Sequence, residues 1–164
     1  MNKQEAIQIL LNAAGFFEQQ SAGYKSWGKV EVLQIAMQLE NDEIIYTQKN
    51  KALSLLTAED IVVANNDSVF YKIFSKRKKV QVILITQQEF ASQVKEEIPP
   101  ILDDQAQLLG VTVRIAKNED NILHALNGRY AAVLLDGKSI CLGNSIDDAY
   151  VAAQLLEKTS KAFV

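Results

Sequence analysis

The sequence predicts an α/β domain of three layers, with helices on both faces of a mixed, largely antiparallel central sheet. Segments of two-residue apolar period alternate along the chain with segments of helical period. Tight-turn signals at Asn41-Asp42 and Asp136-Gly137 join neighbouring apolar runs, which makes those strand pairs antiparallel. Val80-Gln81-Val82-Ile83-Leu84-Ile85 is apolar on almost both faces, as expected of a strand covered above and below.

Ile7, Leu10, Leu11, Ala14 and Phe17 fall on one stripe and predict an amphipathic first helix. After the loop around Gly23 to Gly28, Leu33, Ile35, Met37 and Leu39 take the alternation of a half-buried strand, which turns at Asn41-Asp42 into Ile44–Thr47. Leu56-Thr57-Ala58-Glu59-Asp60 reads as one capped helical turn before a strand at Ile61–Val63. Val69, Phe70, Ile73 and Phe74 predict a helix ending in the basic run Lys76-Arg77-Lys78-Lys79, where cations suit the negative end of the helix dipole.

Beyond the central strand, Phe90 to Val94 reads as a short helix, with Pro99-Pro100 as the following stop. A helix begins at Asp103 or Asp104 and is closed by Gly110, and Val111 to Ile115 alternates as a strand. Asn118 opens a helix through Leu126, ended by Asn127-Gly128. Ala131–Leu135 and Ile140–Leu142 form the second hairpin, and Ser145 caps a last helix whose buried face is Ile146, Ala149, Tyr150, Ala153 and Leu156.

Nearly half of the 164 residues are apolar, only two are prolines, and no low-complexity tract interrupts the chain, so residues 1–164 are expected to fold as a single domain. A net charge of -3 gives no broad field for a polyanion, so neither nucleic acid nor an anionic membrane is expected as a partner. The basic run reads either as a solvated turn or as a phosphate or partner contact. Cys141, the single cysteine, forms no intrachain disulfide and no multi-thiolate metal site, and fits a reducing compartment. The amino terminus has no secretion signal and no apolar run approaches the ~20 residues needed to cross a bilayer, so a cytoplasmic location is expected.

The order of particular phrases narrows the reading. Ile45-Tyr46-Thr47 followed by Leu56-Thr57-Ala58-Glu59-Asp60-Ile61-Val62 resembles a segment of class II aldolases and adducin head domains. Ile98-Pro99-Pro100 with Asp103-Asp104 and Gly110 is similar to the family's next stretch. Ala125-Leu126-Asn127-Gly128, Ala132-Val133-Leu134-Leu135, Gly143, Ala149-Tyr150 and Leu156-Glu157-Lys158-Thr159 resemble its carboxy-terminal pattern. The resemblance runs from about residue 5 to residue 162 and implies the class II aldolase/adducin-like fold.

In catalytic members of that family a His-x-His pair and a later histidine hold zinc, which polarises a sugar carbonyl. Matching Phe90-Ala91-Ser92 to the family pattern puts that pair at Ile85 and Gln87, and the later turn at Asp136-Gly137-Lys138. Neither position of the pair is a histidine, and a zinc site needs at least three nitrogen, sulfur or oxygen ligands. The family's acid/base glutamate falls near Asn66, with Asp67 as the nearest ionisable group. Its phosphate-binding positions correspond to Gly28-Lys29-Val30-Glu31 and to Thr47-Gln48-Lys49-Asn50. No cofactor is therefore expected, and the resemblance implies a homo-oligomer.

Other candidates carry less chemistry. His124, the sole histidine, falls within a predicted helix; Cys141 falls on a strand, where a buried thiol acts as a small hydrophobe. Tyr24 and Trp27 can line a cleft or anchor a loop. Two functional classes follow. The first is a diverged, non-catalytic aldolase-like domain that binds itself, a protein partner or a small metabolite. The second is a metal-free lyase or isomerase with a site around Thr47, Asp67, Gln87, Asp136 and Lys138. Nucleic-acid binding through Lys72 to Lys79 ranks last.

Overall fold

The computed structural model describes residues 2–21 and 28–164. Among these residues seven strands form one sheet: β1 (Val30–Gln38), β2 (Ile44–Thr47), β3 (Ile61–Val63), β4 (Val82–Gln88), β5 (Ile115–Ala116), β6 (Ala131–Leu134) and β7 (Ser139–Gly143). Their spatial order is β3-β2-β1-β4-β7-β6-β5, and every adjacent pair is antiparallel except β5 with β6. The expected mixed, largely antiparallel sheet is present.

Strand alternation sorts side chains into two cores. Val82, Leu84, Ala131, Val133 and Cys141 point to one face, where α1 (Lys3–Ser21) and α5 (Ile146–Phe163) cover them with Leu10, Phe17, Ala153 and Leu156. Ile83, Ala132, Ile140 and Leu142 point to the other, against Phe70, Ile73 and Phe74 of α2 (Val69–Lys76) and Ala125 and Leu126 of α4 (Ile122–Leu126). Burying each of these large side chains stabilises the fold by about 1.5–3 kcal/mol before the ordering cost. The short α3 (Asp103–Leu108) follows the prolines and is held by buried Gln105, whose side chain bonds Ile101, Pro99 and Val111.

Three local expectations are corrected. Strand β1 does not alternate throughout: its pairing with β4 shifts between Val32↔Thr86 and Gln34↔Ile85. The bulge lets Val32 and Ile35, three residues apart, share the α1/α5 core, and Leu33 leaves the face it was expected to share with Ile35. The expected strand from Val111 to Ile115 is broken. Val113 bridges Ile98, and only Ile115 and Ala116 pair with β6, because the Arg129 guanidinium bonds the Thr112 carbonyl at 2.8 Å and its hydroxyl. Phe90 to Val94 contains a single 3-10 turn, Ala91–Gln93.

The basic run divides in two. Lys76, Lys78 and Lys79 are exposed, whereas Arg77 turns inward, donating to the carbonyls of Leu126 (2.6 Å) and Arg129 (2.7 Å) and lying 5.0 Å from the Tyr130 ring centroid. Arg77 thus ties the end of α2 to the end of α4, sharing the Leu126 carbonyl with the Arg129 amide. No helix among the described residues is long and apolar enough to cross a membrane.

Candidate functional site

On the α2/α4 side of the sheet lies a cleft of about 770 Å³, within the range of small-molecule pockets. Its floor comes from alternate residues of three strands: Tyr46 of β2, Ile85 of β4 and Ile140 of β7. Phe70 of α2 and Ile122 of α4 form apolar walls. The β1 bulge contributes both Leu33 and Gln34, adjacent residues that a regular strand would send to opposite faces.

The rim is polar. The loop after β2 brings Lys49, Asn50 and Lys51, the segment after β5 brings Lys117, Asn118 and Glu119, and the β6–β7 turn brings Asp136 and Lys138. Asn50 adopts φ +69°, a left-handed conformation that asparagine tolerates better than most side chains. The loop is anchored by Asp60, whose Oδ2 accepts from Lys51 Nζ and the Thr57 amide, both at 2.8 Å. The Lys51 hydrogen bond, followed by the Thr57 amide, holds the Asp60 carboxyl below its ordinary range.

The positions suggested by the sequence separate into groups. Ile85, Asp136 and Lys138 meet in the cleft, with Lys138 Nζ 3.7 Å from Asp136 Oδ2. Thr47 is fully buried behind the rim, where its hydroxyl accepts the Ile35 amide at 3.0 Å and its carbonyl accepts Gln34 Nε2. Gln87 shares the strand face of Ile85 but is exposed and does not line the cleft. Asn66 and Asp67 lie in an exposed turn in which the Asp67 amide bonds the Asn65 side chain.

Gly28 and Lys29 lie by the turn after β4. The Lys29 amide donates to Glu89 Oε1 at 3.1 Å, and Gly28 takes φ +127°. A Cβ there would collide with the Glu157 carboxylate and the Phe90 ring, so glycine is needed for space as well as for backbone conformation. Glu157 is fully buried and accepts the amides of Phe90 and Ala91. Burial pushes its carboxyl up, and the two amides oppose that shift.

Tyr24 and Trp27 lie outside the described residues. His124 is exposed, and its carbonyl accepts from Arg114. Burial pushes the Cys141 thiol up to about 12, which suppresses the thiolate. Among the described residues, no group of three or more His, Cys, Asp or Glu side chains is arranged to hold a metal ion.

Sequence reasoning did not single out Gln34, Tyr46, Phe70 or Lys117 as site residues. Tyr46 and Phe70 read locally as ordinary core positions, and their ring centroids stand 5.2 Å apart in the cleft wall. Gln34 was hidden by the bulge.

No family model matches the sequence, and no curated protein matches it. Solved structures do match. An L-fuculose 1-phosphate aldolase superposes with a TM-score of 0.83 at 14% identity, covering 99% of this chain and 86% of its own. A sugar-phosphate aldolase from Thermotoga maritima gives 0.73 at 10% identity, with 97% and 93% covered. An aldolase II superfamily protein from Pseudomonas syringae gives 0.65 at 10%, with 96% and 73% covered. Likeness at such low identity speaks to architecture, since one fold hosts many chemistries. Over nearly its whole length, this chain has the class II aldolase fold.

Proposed function

We propose that this protein is a class II aldolase-type domain that acts by binding a small metabolite in the cleft over β4, without the metal-dependent chemistry associated with that fold. One observation carries the reading. Ile85, where the resemblance puts a zinc-binding imidazole, supplies apolar floor, and the second position, Gln87, is exposed outside the cleft. The residues present do not fit zinc, because no three suitable side chains converge among those described. What remains is a concave, largely apolar surface with polar groups at its edge, the usual composition of a small-molecule site.

Metal analysis of unchelated protein, together with an aldol-cleavage assay on phosphorylated sugars, tests this reading. Substoichiometric zinc, manganese and cobalt and no cleavage are expected. A full equivalent of metal accompanied by cleavage would overturn it.

A metal-free lyase or isomerase is the second reading, favoured by Lys138 and Asp136 standing side by side in the cleft. It requires that Lys138→Met abolish any turnover found. Self-association belongs to the first reading. Phe16, 48% exposed, packs edge-on to Tyr150 with centroids 6.3 Å apart, and Val151 is also exposed, giving α1 and α5 apolar surface for a second copy. Sedimentation of the intact chain should show a species heavier than the 18.2 kDa protomer. A cytoplasmic setting fits a buried, unpaired cysteine.

A further inference from the structure

The cleft differs in character between its depth and its mouth. Deep inside, Tyr46, Phe70, Ile85, Ile122 and Ile140 present aromatic and branched carbon surface with room for a ring-sized body. At the mouth, Lys49, Lys51, Lys117 and Lys138 stand with the acids Glu119 and Asp136, and Asp60 reaches Lys51 from behind the rim. Lys51 is engaged with Asp60 and Lys138 lies near Asp136, whereas Lys49 and Lys117 are exposed on opposite margins. The first turn of α2 also borders the cleft and adds the positive end of a peptide dipole.

Hydroxyls of a polyhydroxylated ligand that face the carbon surface of Ile85, Ile122 and Ile140 would lack partners there, and each unpaired polar group is costly. An apolar body fits the floor, and one anionic group at its end reaches the lysines. Resting on the reading of the cleft as a small-molecule site, we infer that its ligand is an amphiphilic monoanion, an aromatic or branched-aliphatic acid, held with the apolar body against Ile85 and the anionic head at the mouth, in the field of Lys49 and Lys117.

Calorimetric titration of the intact chain with 1-naphthoate, the neutral isostere 1-naphthamide and glycerol 3-phosphate tests this. Naphthoate should bind with a negative heat-capacity change, the mark of apolar burial. It should bind about tenfold more tightly than naphthamide, corresponding to about 1.4 kcal/mol. Lys49→Glu and Lys117→Glu, both at exposed positions and so compatible with folding, should each weaken naphthoate by about threefold and leave naphthamide unchanged.

Equal binding of naphthoate and naphthamide, unaffected by charge reversal, would overturn the anionic head. Binding of glycerol 3-phosphate alone, weakened by Lys49→Glu and Lys117→Glu, would overturn the ligand class while keeping the small-molecule site. Failure of all three compounds to bind folded protein would overturn both the ligand class and the small-molecule reading beneath it.

Discussion

The hydroxyl of Thr47 accepts the backbone amide of Ile35 at 3.0 Å, in a position where both residues are buried. The contact stands just beyond the β1 bulge and gives Ile35 N–H an acceptor at the point where regular strand pairing is interrupted. Thr47→Val should therefore destabilise the fold by about 1–3 kcal/mol, the cost of an unsatisfied buried donor. Thr47→Ser should retain most of the stability, and urea unfolding of the two variants separates them. Equal losses would show that the methyl group, not the hydroxyl, matters at this position.

Asp60 gives the fold a predictable acid response. Its folded carboxyl titrates below the ordinary value of 3.8, so the native state favours the charged form. The associated stability is fully present above the ordinary value and is lost as pH falls through the lowered one. The stability difference between wild type and Asp60→Asn should be constant above about pH 5 and shrink in stronger acid. A difference that grows in acid would contradict this assignment.

Arg77 bonds two carbonyls with one nitrogen and covers the Tyr130 ring. Arg77→Met should cost about 2 kcal/mol, since charged hydrogen bonds to part-buried carbonyls exceed neutral ones. Arg77→Lys should fall between, because an ammonium does not reproduce the planar geometry. Denaturant midpoints measure both; Lys78→Met, at an exposed position, is the neutral control.

Cys141 should be silent toward a thiol reagent in the native protein. Complete burial and a thiol pushed up to about 12 remove both access and thiolate. Modification by an aromatic disulfide at pH 8 should follow the unfolding rate, which stopped-flow and manual mixing can compare. Rapid modification of folded protein would refute the buried placement.

Much of the architecture was readable because burial repeats along the sequence. The alternation of Val82 and Leu84 with Ile83, and the stripe of Leu10, Ala14 and Phe17, encode which side each element presents to its core. Leu33 defeated that logic: a bulge adds one residue, and apolar type alone does not show where the parity changes. Val111 to Ile115 failed for another reason, since Arg129, distant in sequence, takes the Thr112 carbonyl. Family resemblance indicated Ile85, Asp136 and Lys138 as neighbours. Lys49 and Lys117 meet the same cleft from loops 68 positions apart, a juxtaposition no local pattern contains.

The buried carboxylate of Glu157 also constrains biosynthesis. Phe90 N–H must wait for an acceptor 67 residues later in the chain, while β4 itself lacks its β7 neighbour. The turn at Phe90 therefore reaches its final hydrogen bonding only after residue 157 has emerged from the ribosome. A translating chain paused earlier would hold an incomplete centre, with the apolar edge of β4 available to chaperones.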